Sequence, residues 1–501
     1  MYPEIILGIP GSGKTTTLLQ IVEEELNRGI PPDRIAYISF TRKATEEAIE
    51  RACKKFGLSR SNFPYFRTIH SLAFHQLCLR NTEVFEGSKI QEFANWANVK
   101  ITGRFSEDGT LSGYEIGDKI LFLDNLSRIT ETPLKSLYNI SDENIPWSEI
   151  ERVTKCLSVF KKENGLYDFT DMLEIYIKIG NKPKLDVLLC DEVQDQSALQ
   201  WKIVEKLAQN TKRVVLAGDD DQNLYSWCGS DVKRLISQPG DVRVLERSYR
   251  LTKEIKELAN SVICRVKYRR PKVWAPRDGV GVIERVKSFN DIDLSGQDIL
   301  ILARNTYLLK EQIEPELKRS GFIFEKNGYS SIREGLLRAI VDWENLRNGA
   351  KLPVSSILNL YEYISSNSGI KRGYKKLPGF ENPDEMVDIN QLKISGGLLV
   401  DGIWHESLDR IPNNDKSYIL AARKRGEKIL SKPRIRISTI HGAKGGEAEH
   451  VILLKEMARK TFREMQNDQD SEHRVAYVGI TRTKDKLSIV DSETERSYPW
   501  I

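Results

Sequence analysis

The stretch Gly8-Ile9-Pro10-Gly11-Ser12-Gly13-Lys14-Thr15 follows a short apolar strand, Pro3 to Leu7, and precedes a helical segment, Thr16 to Leu26. Its spacing matches G-x-x-x-x-G-K-[ST], and strand, loop and helix in this order are the context that a P-loop requires. In such a loop backbone N–H groups curl around phosphates, the lysine neutralises their β/γ charge, and the threonine hydroxyl binds Mg²⁺. The alternative is a chance glycine-rich turn. The loop residues predicted to hold a nucleotide are Gly8, Pro10, Gly11, Ser12, Gly13, Lys14, Thr15 and Thr16.

A carboxylate at the end of another buried strand is the second requirement of a nucleotide-hydrolysing site. The apolar segment from Leu185 to Cys190 is followed directly by Asp191 and Glu192. We predict that Asp191 binds Mg²⁺ through the water shell of the metal. Glu192 is predicted to polarise the attacking water, a role that needs an ionised carboxylate near the metal but not on it. A solvated acidic turn is the alternative interpretation.

A third apolar strand, Arg213 to Ala217, ends in Gly218-Asp219-Asp220-Asp221-Gln222. At a strand terminus the amide of Gln222 is placed to hydrogen-bond a γ-phosphate and to report its loss. These strands alternate with helical segments such as Thr45 to Lys55 and Ala198 to Gln209. The alternation predicts an α/β domain with a mostly parallel sheet, whose ligand lies at the carboxyl ends of the strands.

Length and composition limit the class of protein. A chain of 501 residues predicts roughly three domains, and 40% hydrophobic with 29% charged residues is typical of globular proteins. The longest apolar runs fall well short of the roughly 20 residues of a membrane span, and the first residues leave no room for a signal peptide. We therefore expect a cytoplasmic protein. The six cysteines lack Cys-x-x-Cys spacing, which favours reduced thiols, and a net charge of +5 is compatible with a polyanionic partner.

Further motifs resemble those of the UvrD/Rep-like superfamily 1 DNA helicases, in order along nearly the whole chain. In the first half they are Ser39-Phe40-Thr41-Arg42-Lys43-Ala44, Thr68-Ile69-His70-Ser71, Asp168-Phe169-Thr170-Asp171, Asp191-Glu192-Val193-Gln194-Asp195, Gly218 to Trp227, and Tyr249-Arg250. In the second half they are Ala303-Arg304-Asn305, Thr439 to Glu447, and Ala476 to Arg482. One short string could be coincidence, but this many in the right order identify the chain as a member of the family.

The resemblance implies two RecA-like P-loop domains, with parallel sheets and helices on both faces, and largely helical accessory insertions. It implies that Arg250 and Arg482 reach the γ-phosphate from the second RecA-like domain, that Tyr249 stacks on the base, and that Glu447 touches the ribose. Planar guanidinium donors suit the charge-spread transition state of phosphoryl transfer. Outside its motif, either arginine would be interpreted as a solvated surface residue. The predicted catalytic residues are Lys14, Glu192, Gln222, Arg250 and Arg482.

The resemblance also implies a path for a nucleic-acid strand. Trp227 is similar to the family tryptophan on which a DNA base stacks, a contact worth about 1–3 kcal/mol per base that tolerates any sequence. A core tryptophan is the competing interpretation. Polar and cationic groups at strand ends hold phosphates without reading sequence, and His70 and His441 would be structural without their motifs. The residues predicted to contact the strand are Thr41, Lys43, Thr68, His70, Tyr225, Trp227, Arg304 and His441.

Some positions depart from the family pattern. We expect the upstream segment with the adenine-reading glutamine to be missing, and Thr16 stands where relatives have a base-contacting arginine, so selectivity for ATP stays open. Cys228 follows Trp227 where the family usually has arginine. Gly446 and Ala448 replace larger apolar residues, which predicts looser packing behind that loop.

The predicted domain boundaries follow from the motif positions. We expect the first RecA-like domain in residues 1–71 and 168–240, and the second in residues 241–348 and 434–501. Residues 72–167 are predicted to form the first accessory insertion. Residues 349–433 form a second accessory insertion that looks short for this family.

The function implied by the resemblance is an ATP-dependent single-stranded DNA translocase or 3′–5′ DNA helicase, with ATP and Mg²⁺ as cofactors. Its partners would be single-stranded DNA, single/double-strand junctions and proteins that load it, and it would act as a monomer or weak oligomer. A nucleotide-switched binding or recruitment subunit is the alternative, but a pure clamp has no need of the hydrolytic residues. A helicase-nuclease is a third interpretation, for which we expect no room after Arg482. Repair, replication, recombination and defence stay open as pathways.

Overall fold

The computed structural model describes residues 2–105, 111–113, 115–141 and 144–501. The chain divides into two units. Unit 1 comprises Met1–Val280 and Met465–Thr481, and unit 2 comprises Gly281–Glu464 and Arg482–Ile501.

A six-stranded sheet forms the centre of unit 1. Its strands are β1 (Glu4–Gly8), β2 (Ile35–Ser39), β3 (Phe66–Thr68), β6 (Val187–Cys190), β7 (Arg213–Gly218) and β8 (Asp241–Leu245). They lie in the order β3-β2-β6-β7-β1-β8, and every neighbouring pair is parallel. Because all strands run the same way, the loops that follow them meet at one edge of the sheet.

Helices cover both faces of this sheet, as the near-continuous apolar strands predict. They are α1 (Lys14–Asn27), α2 (Arg42–Phe56), α3 (Ile69–Gln76), α8 (Phe169–Ile179), α9 (Ala198–Ala208) and α10 (Val232–Ser237). Two further helices of unit 1, α11 (Lys253–Ile263) and α20 (Gln469–Ile480), pack against each other. Successive residues of β1 point to opposite faces. Ile6 packs with Leu18 of α1 in one buried cluster, whereas Ile5 packs with Leu173 and Trp201 in the other.

The predicted boundary after residue 240 falls directly before β8, which belongs to the first sheet. β8 is paired with β1 from Glu4 opposite Asp241 to Gly8 opposite Leu245, and α11 also belongs to unit 1. The first four residues of β8 are exposed or half-buried, because β8 is the edge strand of the sheet and has only β1 as a neighbour. The first sheet therefore extends beyond the predicted limit.

The first accessory insertion is largely helical, as predicted. It contains α4 (Ser88–Trp96), α5 (Ile116–Ile129), α6 (Leu134–Ile140) and α7 (Trp147–Glu163), with the short antiparallel pair β4 (Arg104–Phe105) and β5 (Leu111–Ser112). Its helices bury a separate apolar cluster that includes Phe93, Ile120 and Leu157.

Ion pairs fasten this insertion to α8. Asp168 and Asp171 form a capping box at the start of α8. Arg128 of α5 lies 2.8 Å from Asp168 Oδ2, and Lys161 of α7 lies 2.6 Å from Asp171 Oδ2. Burial alone would raise the pKa of Asp168, but the charges of Arg128 and Lys161 outweigh it and hold that pKa well below its usual range. The acidic segment thus joins the insertion to the sheet domain.

A seven-stranded sheet forms the centre of unit 2. Its strands are β9 (Val282–Val286), β10 (Ile299–Ala303), β11 (Phe324–Lys326), β12 (Tyr329–Ser330), β15 (Ile435–Thr439), β16 (Ala448–Leu454) and β17 (Thr483–Val490). They lie in the order β12-β11-β15-β10-β16-β17-β9, and among the described strand pairs of this sheet only the hairpin β11–β12 is antiparallel. The helices that follow its strands are α12 (Thr306–Leu308), continued by the π-helix Leu309–Ile313, then α13 (Glu314–Arg319) and α19 (Arg459–Asn467).

The remaining part of unit 2 is a helical region with its own core. It contains α14 (Glu334–Arg347), α15 (Val354–Glu362), α16 (Ile389–Ile394), α17 (Trp404–Ser407) and α18 (Asn413–Arg425), with the short pair β13 (Leu352–Pro353) and β14 (Met386–Val387). We predicted that this region begins at residue 349, and α14, which precedes that residue, packs in the same core. Trp343 of α14 is fully buried with Ile357 and Trp404, and its indole N–H donates to the Gly402 carbonyl at 2.9 Å.

The predicted fold class is confirmed, since two mainly parallel sheets flanked by helices carry largely helical insertions. In the part of the chain that the structure describes, none of the helices has the length and apolarity of a membrane span.

Candidate nucleotide and nucleic-acid sites

The loop between β1 and α1 has the geometry of a phosphate cradle. Gly11 and Gly13 have φ angles of 70° and 77°, a region that favours glycine. A Cβ atom on Gly11 would lie 2.4 Å from Cβ of Arg250, so a larger residue would collide with the chain. No side chain caps the start of α1, so its first N–H groups and the positive end of the helix dipole are left for an anion. The hydroxyl of Ser12 is buried and lacks a hydrogen-bond partner among the described residues.

Lys14 lies between two carboxylates at the edge of the sheet. Its Nζ is 2.7 Å from Glu192 Oε1 and 3.8 Å from Asp191 Oδ1. Burial would lower the pKa of Lys14, but the charges of Glu192 and Asp191 outweigh it, and the pKa stays above its usual value. Lys14 is therefore a buried cation. Phosphate oxygens can replace the carboxylates as its partners.

The two residues predicted to hold Mg²⁺ share one hydrogen-bond partner. The Tyr37 hydroxyl donates to Asp191 Oδ2 at 2.7 Å and also hydrogen-bonds the side chain of Thr15. Burial raises the pKa of Asp191 above its usual value. The charge of Lys14 opposes this shift, and the charge of Glu192 adds to it. A buried carboxylate beside a hydroxyl is the oxygen set that Mg²⁺ prefers, so Thr15 and Asp191 fit this metal.

Tyr37 was missed by the sequence analysis. It stands in the apolar run of β2, directly beside Leu189 of β6. A tyrosine in such a run is more often a core residue, and only the pairing of β2 with β6 brings its hydroxyl to Asp191.

Glu192 is held in an unusual backbone conformation. Its φ and ψ of 54° and 39° lie in the left-handed region, which costs a residue with a side chain of order 1–3 kcal/mol. Its Oε2 accepts a hydrogen bond from the amide of Gln194, whose Oε1 in turn accepts from the Asp219 N–H at 3.0 Å. Gln194 thus connects the loop after β6 with the loop after β7.

Gln222 belongs to the same network. Its amide donates to Asp219 Oδ2 at 2.7 Å. The turn around it is fixed by Lys272, whose Nζ lies 3.1 Å, 2.7 Å and 2.7 Å from carboxylate oxygens of Asp219, Asp220 and Asp221. This buried lysine was not found by sequence reasoning, because it lies some fifty residues beyond the turn.

Arg250 and Tyr249 lie against the phosphate loop within unit 1. The Tyr249 N–H donates to the Gly11 carbonyl at 2.8 Å, and Arg250 donates from its guanidinium to the Thr481 carbonyl at 3.1 Å. Both residues belong to unit 1, in the segment that follows β8 of the first sheet, and the assignment of Arg250 to the second RecA-like domain stays a prediction. The ring of Tyr249 is 69% exposed, which leaves a face for a base.

The other residues predicted to contact the nucleotide or the nucleic-acid strand from the second RecA-like domain lie in unit 2. Arg482 is almost fully buried and donates to the Gly446 carbonyl at 3.2 Å, while Glu447 pairs with Lys484 at 2.7 Å. Arg304 and His441 follow the neighbouring parallel strands β10 and β15, in which Ala303 is paired with Thr439. Parallel pairing thus brings these two strand ends to the same edge of the second sheet.

Aromatic pairs mark the predicted strand contacts of unit 1. Trp227 is 53% exposed, which disagrees with the core interpretation, and its ring stacks on Phe122 of α5 at 6.1 Å and 16°. Tyr225 packs against Phe40 at 5.0 Å. Phe122 lies in the accessory insertion, outside any motif, and was missed.

The residues of unit 1 that are predicted to contact the nucleic-acid backbone lie at or near the starts of helices α2 and α3. Thr41 caps α2 by accepting from the Ala44 N–H, and Thr68 caps α3 by accepting from the Ser71 N–H, both at 3.2 Å. Lys43 is exposed, whereas His70 is buried with its ring edge against Phe169. The structure thus gathers Thr68 and His70 at one helix start.

A phosphate cradle, a buried lysine between carboxylates and an amide at the next strand end define a P-loop nucleotide-hydrolase site on a RecA-like sheet. The chain belongs to the UvrD/REP helicase family. Residues 2–242 match the UvrD/REP helicase N-terminal domain, and residues 408–494 match the UvrD-like helicase C-terminal domain.

Individual relatives agree with this membership. A probable DNA helicase II homolog of Rickettsia conorii is 23% identical over 611 residues, covering 99% of this chain and 92% of that protein. The ATP-dependent DNA helicase Rep of Buchnera aphidicola is 22% identical, covering 97% of this chain and 88% of that protein. The ATP-dependent DNA helicase PcrA of Bacillus subtilis is 26% identical over 381 residues, covering 70% of this chain and 49% of that protein. The first alignment is longer than the 501 residues of this chain, so it includes positions that this chain lacks.

We expect Glu192→Gln to bind ATP but to hydrolyse it about 10²–10⁴-fold more slowly, because the amide keeps the shape and loses the charge that orients water. Lys14→Ala should instead weaken nucleotide binding itself. Turnover at saturating ATP and titration with a fluorescent nucleotide separate the two effects. Glu47→Gln, in an exposed pair with Arg51, is the matched control. Near-normal turnover of Glu192→Gln would show that another group orients the water.

We expect Trp227→Ala to lower affinity for a single-stranded oligonucleotide by roughly tenfold or more, since stacking is worth about 1–3 kcal/mol per base. Fluorescence anisotropy measures the affinity, and thermal unfolding checks the fold. Trp96→Ala is a matched control, because Trp96 is 51% exposed and lies on α4 of the accessory insertion. Unchanged affinity together with a lower melting temperature would assign Trp227 a packing role.

Proposed function

We propose that this protein is an ATP-driven motor that moves along single-stranded DNA in the 3′–5′ direction and unwinds duplex DNA at single/double-strand junctions. The observation that carries the proposal is the full hydrolytic set around Lys14, Glu192 and Gln222 in a chain of the UvrD/REP helicase family. A relative that covers 97% of this chain is named ATP-dependent DNA helicase Rep, which supports DNA as the substrate and ATP as the fuel.

Each residue has a defined task in this proposal. Lys14 binds the β- and γ-phosphate oxygens in exchange for Glu192, and Thr15 and Asp191 hold Mg²⁺, which neutralises phosphate charge. Glu192 orients the attacking water and takes its proton. The remaining assignments are Gln222 as the sensor of the γ-phosphate, Arg250 and Arg482 as donors to its oxygens, Tyr249 for the base and Glu447 for the ribose.

The strand is held by stacking and by contacts to its backbone. The exposed Trp227, stacked on Phe122, and the half-buried Tyr225, packed on Phe40, offer aromatic rings to successive bases, a form of contact that tolerates any sequence. The phosphate contacts are assigned to Thr41, Lys43, Thr68, His70, Arg304 and His441. Such contacts position the strand and carry no sequence information, which suits a motor that moves over any sequence.

The domain assignment follows the two sheets. The sheet of unit 1 corresponds to the first RecA-like domain and the sheet of unit 2 to the second, with residues 72–167 and the α14–α18 region as accessory insertions. We place the protein in the cytoplasm, acting as a monomer or weak oligomer.

A nucleotide-switched recruitment subunit is the second candidate. The same fold would then clamp DNA or a partner without processive movement. The strained Glu192 beside Lys14 argues against it, because strain at such a position is retained where chemistry needs it.

We expect robust movement on single strands but weak unwinding of long duplex by the isolated monomer. In this proposal the second insertion is short for the family and therefore grips duplex DNA more weakly. Translocation on end-labelled single strands and single-turnover unwinding of a 3′-tailed duplex are measured on one preparation. Both should fall as salt rises, because phosphate contacts release counterions. Strands labelled at opposite ends test the polarity.

Glu192→Gln is the control without hydrolysis and should abolish both activities. Processive unwinding of long duplex by the monomer would mean that another surface, such as residues 72–167, separates the strands. ATP hydrolysis without movement on any strand would favour the recruitment subunit.

A further inference from the structure

A cavity of about 310 Å³ lies in unit 1 beside the starts of α2 and α3. Its polar wall is formed by Arg42, Arg60, Arg67, Thr68 and Ser71. Its apolar wall is formed by Phe66, Phe74 and Phe169. The cavity therefore combines several guanidinium groups with aromatic side chains in a space at the low end of the range for ligand pockets.

The charge of Arg67 is incompletely balanced by the protein. Its Nε donates to the Pro64 carbonyl at 2.6 Å and its guanidinium to Ser71 Oγ at 3.1 Å, and no carboxylate among the described residues pairs with it. Burial and the nearby charge of Arg60 lower its pKa. A guanidinium that faces another cation instead of an acid is a group that a bound anion would stabilise.

The acidic groups of the cavity are weak competitors for such an anion. Glu46 lies 3.9 Å from Arg60, and the two side chains are 57% and 68% exposed. Exposed ion pairs of this kind contribute little to stability, so Arg60 can exchange Glu46 for a better partner. Glu86, which also lines the cavity, is exposed to solvent.

The cavity continues the surface that the proposed function gives to the strand. Thr68 and His70, both assigned to strand contacts, line it. Arg42 is the first residue of α2, directly after the capping residue Thr41. A strand that passes Thr41 and Thr68 therefore reaches the arginines without leaving this surface.

We propose that this cavity binds a phosphodiester group of the single strand, with Arg60 and Arg67 donating to its oxygens. The inference rests on the proposed function, since it names two further contacts of the same strand. Arginine suits this task because its planar guanidinium binds phosphate through two parallel hydrogen bonds.

The test compares Arg60→Gln, Arg67→Gln and the double variant with wild type. Affinity for an oligothymidylate is measured by anisotropy over a series of salt concentrations. We expect each single variant to weaken binding several-fold at low salt. The slope of log K against log salt should become shallower by about 0.7 in the double variant, because both arginines are assigned to the same phosphate. Arg51→Gln, an exposed arginine of the same helix α2 that pairs with Glu47, should match wild type in affinity and slope.

Two further measurements make the result decisive. Thermal unfolding identifies a variant that fails to fold. If Arg67→Gln fails to fold, the test is made with Arg60→Gln, which lies at an exposed position. Titration with inorganic phosphate distinguishes the two sources of phosphate. Saturable binding of inorganic phosphate with a dissociation constant below about 1 mM, abolished in the double variant, would assign the cavity to a free anion and overturn the proposal.

The strand measurements also separate this inference from the function on which it rests. Unchanged affinity and slope in the folded double variant, beside weakened binding by Trp227→Ala, would overturn the inference and leave the proposed function intact. Failure of the wild-type protein to bind the oligonucleotide would overturn both.

Discussion

The pair between Lys14 and Glu192, with Asp191 beside it, is the interaction on which the nucleotide site depends. A buried ammonium needs anionic partners, and a buried carboxylate needs cations or hydrogen-bond donors. The parallel sheet meets both needs, because it brings the loop after β1 and the loop after β6 to one edge. In the proposed function phosphate oxygens replace the carboxylates as partners of Lys14, Mg²⁺ would become the cation beside Asp191, and Glu192 would be free to orient the attacking water.

Hydrogen bonds connect this charged pair to other loops of unit 1. Gln194 connects Glu192 to the loop after β7, and that loop is fixed by the buried Lys272. The segment after β8 lies on the phosphate loop through the backbone of Gly11. The loops after β1, β6 and β7 are thus connected at one sheet edge, and the segment after β8 contacts the first of them. We therefore expect a change in the partner of Lys14 to alter the surroundings of Gln222 and Arg250 together.

Sequence reasoning found the loops but not their partners. Lys14, Asp191 and Gln222 each follow an apolar strand, so local pattern was sufficient to predict them. Tyr37 and Phe122 acquire their contacts only when distant segments pack, and no spacing along the chain indicates that packing. The predicted domain boundaries were placed between motifs, and motif positions do not indicate that β8 pairs with β1 or that Trp343 is buried in the helical region. The assigned roles of the site residues stay predictions.

The central claim is that hydrolysis at this sheet edge is coupled to a DNA strand. It is tested most directly by the steady-state ATPase rate of the wild-type protein with single-stranded DNA, with single-stranded RNA and with neither. We expect a low rate without nucleic acid, a many-fold higher rate with single-stranded DNA, and a smaller effect of RNA. An equal rate in all three conditions would contradict coupling to a strand, and stimulation by RNA alone would contradict DNA as the substrate.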